Sequence, residues 1–493
     1  MTRTATLLKQ LLFSSCSLFL LQACSVEKQI AQSAKADVLD TKALQAAHVG
    51  ISIFDPAANK YLYNYQGDKY FVPASNVKIP TCYAAMKYLG DSLVGLRYGF
   101  SELVKPIDTI SAFQATGDPT FLHPDFKNQP VFDFLKKAST LNHQLGFADA
   151  IWEESHWGSG WSWSDYNASF MAERSSMPIY GNLIEIKINE LKDRNITDNN
   201  ISISKQIKLF KTQTFLFDSL TNKYIISLTD EELLSKEPKI EIDRDFRENK
   251  FLVKKSFQKF ENKSIPFITE GTFTFQSILY NDFKIKFGTL HRKISDSAKT
   301  SYTFFYPDFF KRNVQIKTWK VLHSQPTDSL LKLMMHYSDN FFAEQSLLMV
   351  SNEMLGVMND EKIIDTLLKT DFKDLPQKPR WADGSGLSRY NLFTPQDFIS
   401  ILNKMKNEFG MERIKVILPT GGEGTISSYY KTDSGYIYGK TGTLSGVVAF
   451  SGFLYTKKGK LFIFSTLVNN HQASATEVRR AVEKFLDGIR ARY

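Results

Sequence analysis

Three short clusters of side chains in this 493-residue chain could do chemistry together. Ser75-Asn76-Val77-Lys78 places a hydroxyl and an amine three residues apart, where a helical pattern opens. On a helix that spacing puts both side chains on one face, with Cβ atoms about 5–6 Å apart. A neutral amine there can take the hydroxyl proton, and a hydroxyl needs such a base before it becomes a nucleophile at neutral pH. Ser338-Asp339-Asn340 lies between two apolar helical runs, Leu330–Tyr337 and Phe341–Val350, and Lys440-Thr441-Gly442-Thr443 ends an expected strand. The S-x-x-K spacing alone says little, because it recurs at Ser25/Lys28, Ser202/Lys205, Ser256/Lys259, Ser329/Lys332 and Ser428/Lys431. Singly, a serine at a helix start is usually a cap and an S-D-N loop a turn. Only Ser75, however, opens a helix just after a strand pair with S-D-N and K-T-G still ahead, and each of those triplets occurs once.

The competing chemistries have no comparable support. There is no G-x-S-x-G elbow, H-E-x-x-H, C-x-x-C, P-loop or dinucleotide fingerprint. The eight histidines never sit at i,i+4, so a helical metal pair is absent, and no metal or cofactor is expected. A net charge of +9 is spread thinly, with no tight basic cluster interleaved with aromatics, which excludes nucleic acid as the expected partner and fits an anionic envelope. Hydrophobic residues at 43% and charged residues at 23% describe a globular chain, and the length suits two to three domains.

The N-terminus reads as an address. Arg3 and Lys9 precede an apolar stretch, Leu11 to Leu21, which is too short for a spanning helix of about 20 residues but fits a secretory h-region. Leu21-Gln22-Ala23-Cys24 resembles the lipobox of bacterial lipoproteins, so residues 1–23 are expected to be cleaved and Cys24 acylated, anchoring the chain to a membrane. Residues 24–46 are polar and small and read as a tether. Cys82 then stays as a lone thiol, more a small apolar filler than a reagent.

The elements that must position the clusters follow from periodicity. His48–Phe54 and Lys60–Tyr65 read as strands around the turn Asp55–Asn59, and Ser75–Leu89 as a helix stopped by Gly90. Tyr436–Lys440, Val447–Tyr455 and Lys460–Val468 read as strands. A final helix, Ala473–Arg490, carries Val478, Ala481, Val482, Phe485, Leu486 and Ile489 on one face. Strands at both chain ends with helices between predict an α+β domain, an antiparallel sheet flanked by helices and completed by both ends, over 47–94 plus 323–493. The region 95–322 has short alternating runs, such as Phe283–Phe287 and Ile201–Ser204, and reads as a large β-rich insertion.

With the motifs in the order S-x-x-K, S-x-N, K-T-G, the chain resembles penicillin-binding proteins and serine β-lactamases. Ser338 follows Ser75 by 263 residues (338 less 75), and Lys440 follows Ser338 by 102 (440 less 338). The long first interval is similar to that of the D-alanyl-D-alanine carboxypeptidase/endopeptidase branch, the low-molecular-mass class C penicillin-binding proteins. Further likeness lies in Gly117–Phe121, Gly160–Asp165, Asp383–Ser388 and Leu418–Gly421, while about 190–320 matches nothing recognisable.

The resemblance implies a β-lactamase/transpeptidase-like fold and a serine D,D-peptidase that cleaves D-Ala-D-Ala in peptidoglycan stem peptides, and cross-links in its endopeptidase form. It implies β-lactams as covalent inhibitors and a periplasmic, envelope location. Ser75 becomes the nucleophile and Lys78 its base, with Lys440 nearby depressing the Lys78 pKa from its usual value of about 10.4. Ser338 relays a proton to the leaving amine and Asn340 holds Lys78 and the substrate amide. Lys440, Thr441 and Thr443 clamp the terminal carboxylate, and Gly442 lets the strand approach the substrate. The backbone N–H groups of Ser75 and Thr443 form the oxyanion hole, and Asp165 faces the amino group of the diamino acid. Trp157, Trp161 and Trp163 are expected to pack. The alternatives are a β-lactamase or esterase on the same scaffold and a non-catalytic cell-wall-binding homologue.

Overall fold

The protein is described from a computed structural model covering residues 26–101, 110–141, 144–148, 152–186, 241–247, 249, 251–254, 263–293, 301–305, 311–314, 316 and 318–493. The expected leader, the lipidation site Cys24 and the expected strand Ile201–Ser204 lie outside these residues. The chain clusters into two compact units: Met1–Tyr83 with Lys332–Ser338 and Leu367–Tyr493, and Ala84–Leu331 with Asp339–Thr366. Residues 84–94, 323–331 and 339–366, expected with the terminal strands, therefore group with the insertion instead.

The first unit is built on a five-stranded antiparallel sheet. Its order is Ile437–Leu444, Val447–Tyr455, Leu461–Asn469, His48–Asp55 and Lys60–Tyr65, so both chain ends complete it as expected. Val447–Val468 supplies two central strands buried nearly end to end, which requires cover on both faces. On one face, alternating residues Val49, Ile51, Ile53, Phe462 and Phe464 join Val478, Val482, Phe485, Leu486 and Ile489 of the last helix, Ala475–Arg492. Residues of opposite parity, Ile463 and Leu467, are equally buried, and the helix Pro395–Ile417 packs against their strand.

The expected tether is a correction. Residues 26–34 form a helix that runs on into a π-helical turn, Lys35–Leu39. Ile30, Ala34 and Val38 recur every four residues, and that apolar stripe is buried with Leu44 in the same core. A segment whose overall polarity suggested solvent thus carries one apolar edge.

The second unit holds a seven-stranded mixed sheet ordered Lys311–Val314, Ser301–Phe305, Gly288–Lys293, Gln144–Ala148, Ile110–Gln114, Ser92–Phe100 and Lys320–Pro326. Gln144–Ala148 pairs in parallel with both its neighbours and the other pairings are antiparallel. Phe283–Phe287, expected as a strand, is not one. Phe283 ends the helix Gly271–Phe283, Lys284 caps it in the left-handed region at φ 62°, and Ile285 and Phe287 drop into the core from irregular chain. The two-residue alternation there reflects anchoring after a helix C-cap, not a pleat.

The helix Asn340–Leu355 is buried on every side from Phe341 to Asn352. Two of its polar residues are paired within the unit: Glu344 with Arg174, and Gln345, whose amide donates to the Gly117 and Ser175 carbonyls.

Candidate active site

The chain enters the first cluster through a fixed point. Asn469 Oδ1 accepts from the Val72 N–H at 2.7 Å and its Nδ2 donates to the Val72 carbonyl at 3.0 Å, tying the segment to the sheet. Ala74 then takes φ 47°, a conformation that residues with a Cβ rarely adopt, and Ala74–Val77 forms a 3-10 turn before the α-helix Lys78–Tyr88. The expected continuous helix from Ser75 is thus a tight turn followed by a helix, and Pro80 sits in that helix's first turn, where its missing N–H does least harm. Beneath the turn, Asn76 donates to Ser451 Oγ at 2.7 Å and Ser451 to Ser465 Oγ at 2.8 Å, all fully buried. Ser75 stays partly exposed on this anchored base.

Lys78 is fully buried, with Nζ 3.1 Å from Ser75 Oγ and 2.7 Å from the Ser385 carbonyl. The carbonyl belongs to the loop Asp383–Ser388, which is wound around one carboxylate. Asp383 Oδ1 accepts from the Gly386 N–H and from Asn391 Nδ2, each at 2.8 Å, and Oδ2 accepts from the Ser388 N–H at 2.7 Å. Thr81, one turn beyond Lys78, donates to the Gly384 carbonyl at 2.7 Å. Asp383 and Ser385 were not singled out as site residues, although the loop's Gly-Ser-Gly run was visible.

Lys440-Thr441-Gly442-Thr443 lies within the strand Ile437–Leu444 rather than at its end, because pairing with Val447–Tyr455 continues to Leu444. Lys440 is fully buried and donates to Ser338 Oγ at 2.9 Å and to the Thr441 carbonyl at 2.8 Å. Burial pushes the Lys440 ammonium well below its ordinary pKa, and the positive charges of Lys78 and then Arg479 push the same way. Ser338 itself sits at φ 58° after the helix Thr327–Tyr337, a left-handed residue that turns the chain at the hydroxyl.

Gly442 abuts the turn that carries Ser75. A Cβ there would fall 2.6 Å from the Pro73 carbonyl oxygen and 3.0 Å from the Ser75 nitrogen, so its bareness lets the strand approach the nucleophile turn. Gly386 does the same from the other loop, where a Cβ would meet the Ala74 carbonyl oxygen at 2.0 Å. Thr441 Oγ1 bonds Thr425 Oγ1 at 2.7 Å, and Thr443 Oγ1 accepts from Arg479 at 2.6 Å. Thr425 and Arg479 were also missed, since neither lies in a motif.

The first unit thus brings together Ser75, Lys78, Ser338, Lys440, Thr441, Gly442 and Thr443. Asn340 belongs to the second unit, where it opens the helix Asn340–Leu355 behind the N-cap Asp339 and donates to the Phe170 carbonyl at 2.9 Å. Asp165 also belongs there, partly exposed in the 3-10 turn Trp163–Asp165. Of the tryptophans expected to pack, Trp161 lies under Arg174 and Trp157 against Phe246, but Trp163 is 73% exposed.

A hydroxyl with a buried amine beside it, and a second amine holding a second hydroxyl, is an arrangement able to support acyl transfer on a serine. The chain belongs to the D-Ala-D-Ala carboxypeptidase 3 (S13) family, whose model matches residues 30–221 and 312–493. It is 23% identical over 466 residues to the D-alanyl-D-alanine carboxypeptidase DacB of Haemophilus influenzae, covering 89% of each chain. It is 22% identical over 482 residues to the D-alanyl-D-alanine carboxypeptidase of Actinomadura sp. (strain R39), covering 89% of this chain and 80% of that one. The structure superposes on the crystal structure of penicillin binding protein 4 (dacB) from Haemophilus influenzae with TM-score 0.65 at 19% identity, over 92% of this chain and 97% of that one. The β-lactamase/transpeptidase-like α+β fold expected from the motifs is therefore the observed one.

Proposed function

We propose that the chain is a serine D,D-peptidase of peptidoglycan stem peptides, removing terminal D-alanine and opening peptide cross-links through an acyl-enzyme on Ser75. The observation that carries the reading is the convergence on one strand. Lys440 holds Ser338 at 2.9 Å, while Gly442, two residues on, abuts the backbone of Ser75, whose hydroxyl faces the buried Lys78.

In the proposed mechanism, neutral Lys78 Nζ takes the Ser75 proton as Oγ attacks the carbonyl between the two D-alanines. The Ser75 and Thr443 N–H groups receive the oxyanion, a contribution of about 3–4 kcal/mol per donor in comparable sites. Ser338 relays to the departing amine the proton that Lys78 took, ending as a hydroxyl again with Lys78 neutral as the C–N bond breaks, and water then hydrolyses the ester by the reverse relay. Thr441 and Thr443 meet the terminal carboxylate. Asn340 meets the substrate amide, and Asp165 the amino group of the diamino acid, both by family pattern. β-Lactams acylate the same hydroxyl.

For location, the Arg3/Lys9 flank, the apolar run and Ala23-Cys24 support export and lipid anchoring at Cys24 in the bacterial envelope. Intact-mass measurement after fluorescent penicillin tests the core of the reading. One adduct on the wild type and none on Ser75→Ala is expected, with D-alanine released from a pentapeptide. A label that persists on Ser75→Ala removes Ser75 as nucleophile. Rapid release of hydrolysed drug favours the β-lactamase alternative.

A further inference from the structure

The helix Ala475–Arg492 sends one side chain to the K-T-G strand. Arg479 Nη2 donates to Thr443 Oγ1 at 2.6 Å. A hydroxyl that accepts from a guanidinium keeps its own proton free for another acceptor. Arg479 has no counter-charge: among the described residues no carboxylate lies within ion-pair reach, its Nε is buried without a partner, and its other contact is the Tyr429 ring at 5.8 Å. Its neighbour Arg480 shows the ordinary alternative. That side chain is exposed, pairs with Glu483, donates to the Ser428 carbonyl and stacks on Tyr429 at 4.4 Å. A partly buried guanidinium without an anion is costly to keep, and its planar fork suits a carboxylate.

We propose that Arg479 is a specificity-determining residue: it orients the Thr443 hydroxyl and supplies the fixed positive charge that selects peptides ending in a free carboxylate. This rests on the peptidase reading above and deepens it. The pattern also divides labour between the cations. Lys440 is fully buried and donates to Ser338 Oγ and the Thr441 carbonyl, whereas Arg479 is only partly buried and carries a planar fork that suits a carboxylate.

The test is a pair of peptides, diacetyl-L-Lys-D-Ala-D-Ala and its C-terminal amide, assayed for kcat/KM with wild type, Arg479→Ala and Arg479→Lys. The wild type should prefer the acid. Arg479→Ala should lose about 10- to 100-fold on the acid, the range for a hydrogen bond to a charged partner, and little on the amide. Arg479→Lys should keep part of the preference. Equal losses on both peptides would mean a merely structural role and overturn the proposal, as would an undiminished preference. Should Arg479→Ala fail to melt cooperatively, Arg479→Gln against Arg479→Lys carries the same comparison. A wild type that cleaves both peptides equally overturns this proposal alone; one that cleaves neither and takes no penicillin overturns the peptidase reading and this proposal with it.

Discussion

Lys78 Nζ lies closer to the Ser385 carbonyl, at 2.7 Å, than to the Ser75 hydroxyl, at 3.1 Å. A carbonyl can only accept, so it fixes where the amine's hydrogens point and leaves the lone pair of the neutral form to be aimed elsewhere. The Asp383 loop therefore positions the base. Asp383→Ala removes the acceptor of three buried donors, from Gly386, Ser388 and Asn391, and each stranded donor costs about 1–3 kcal/mol. The variant should melt several degrees lower and be acylated by penicillin at least about 10-fold more slowly, whereas Asp383→Asn, which keeps one acceptor oxygen, should lose less of both. Equal acylation rates for wild type and Asp383→Ala would show that the loop does not set Lys78.

The buried Lys440 predicts a pH dependence of stability. Its pKa is depressed in the folded state, so between the folded and unfolded values the unfolded chain binds the extra proton. Stability then rises with pH through that window, is complete above the unfolded value of about 10.4, and is lost as pH falls through the folded one. Denaturant titrations of wild type and Lys440→Met from pH 7 to 10 check the sign. The wild type should gain on the variant by up to about 1.4 kcal/mol per pH unit inside the window. A difference that is flat or falls with pH is inconsistent with a buried, depressed amine.

Gly442 and Gly386 make a steric prediction. Both Cβ positions are blocked by backbone atoms of the nucleophile turn, which cannot rotate away as a side chain could. Gly442→Ala must push the strand from Ser75 and should cost about 100-fold in acylation, since small misplacements at a reacting centre have effects of that size. Gly386→Ala is strained twice, by a contact of 2.0 Å and by its φ of 85°, and should be the more severe in both melting temperature and rate. Gly459→Ala, at φ 76° in the hairpin turn with open space around it, is the control for backbone strain alone.

The motifs were legible because each is local: spacing reveals S-x-x-K, S-D-N and K-T-G, and two-residue alternation reveals the terminal strands. The supporting residues were not, because their role depends on pairing across the chain. Asp383 is an ordinary loop aspartate until three donors converge on it, and Arg479 reads as one more exposed helix charge until the strand is placed beside it. The helix over 26–34 was missed for a related reason. Three apolar residues at four-residue spacing in a polar segment are a weak signal until the last helix supplies the surface they bury against.

The second unit makes its own prediction at Arg174, which is nearly fully buried and pairs with Asp360 at 2.6 Å, Glu154 at 3.0 Å and Glu344 at 3.4 Å. Three carboxylates around one guanidinium leave an excess of negative charge. Burial, with Asp360 adding to it, pushes the Glu154 carboxyl up to about 7 despite the opposing pull of Arg174. Removing the cation strands buried carboxylates, a loss of about 3–5 kcal/mol in comparable ion pairs. Arg174→Met should therefore destabilise the protein strongly at pH 8, and less at pH 5, where Glu154 takes up a proton in the folded state. Because its folded pKa is raised, Glu154 costs stability as pH rises through the interval between its unfolded value of about 4.3 and 7. Glu154→Gln should flatten that slope, and unfolding curves at pH 5, 6 and 8 for the two variants and wild type separate the effects. A pH-independent loss in Arg174→Met would mean that the guanidinium acts through packing on Trp161 rather than through its charge.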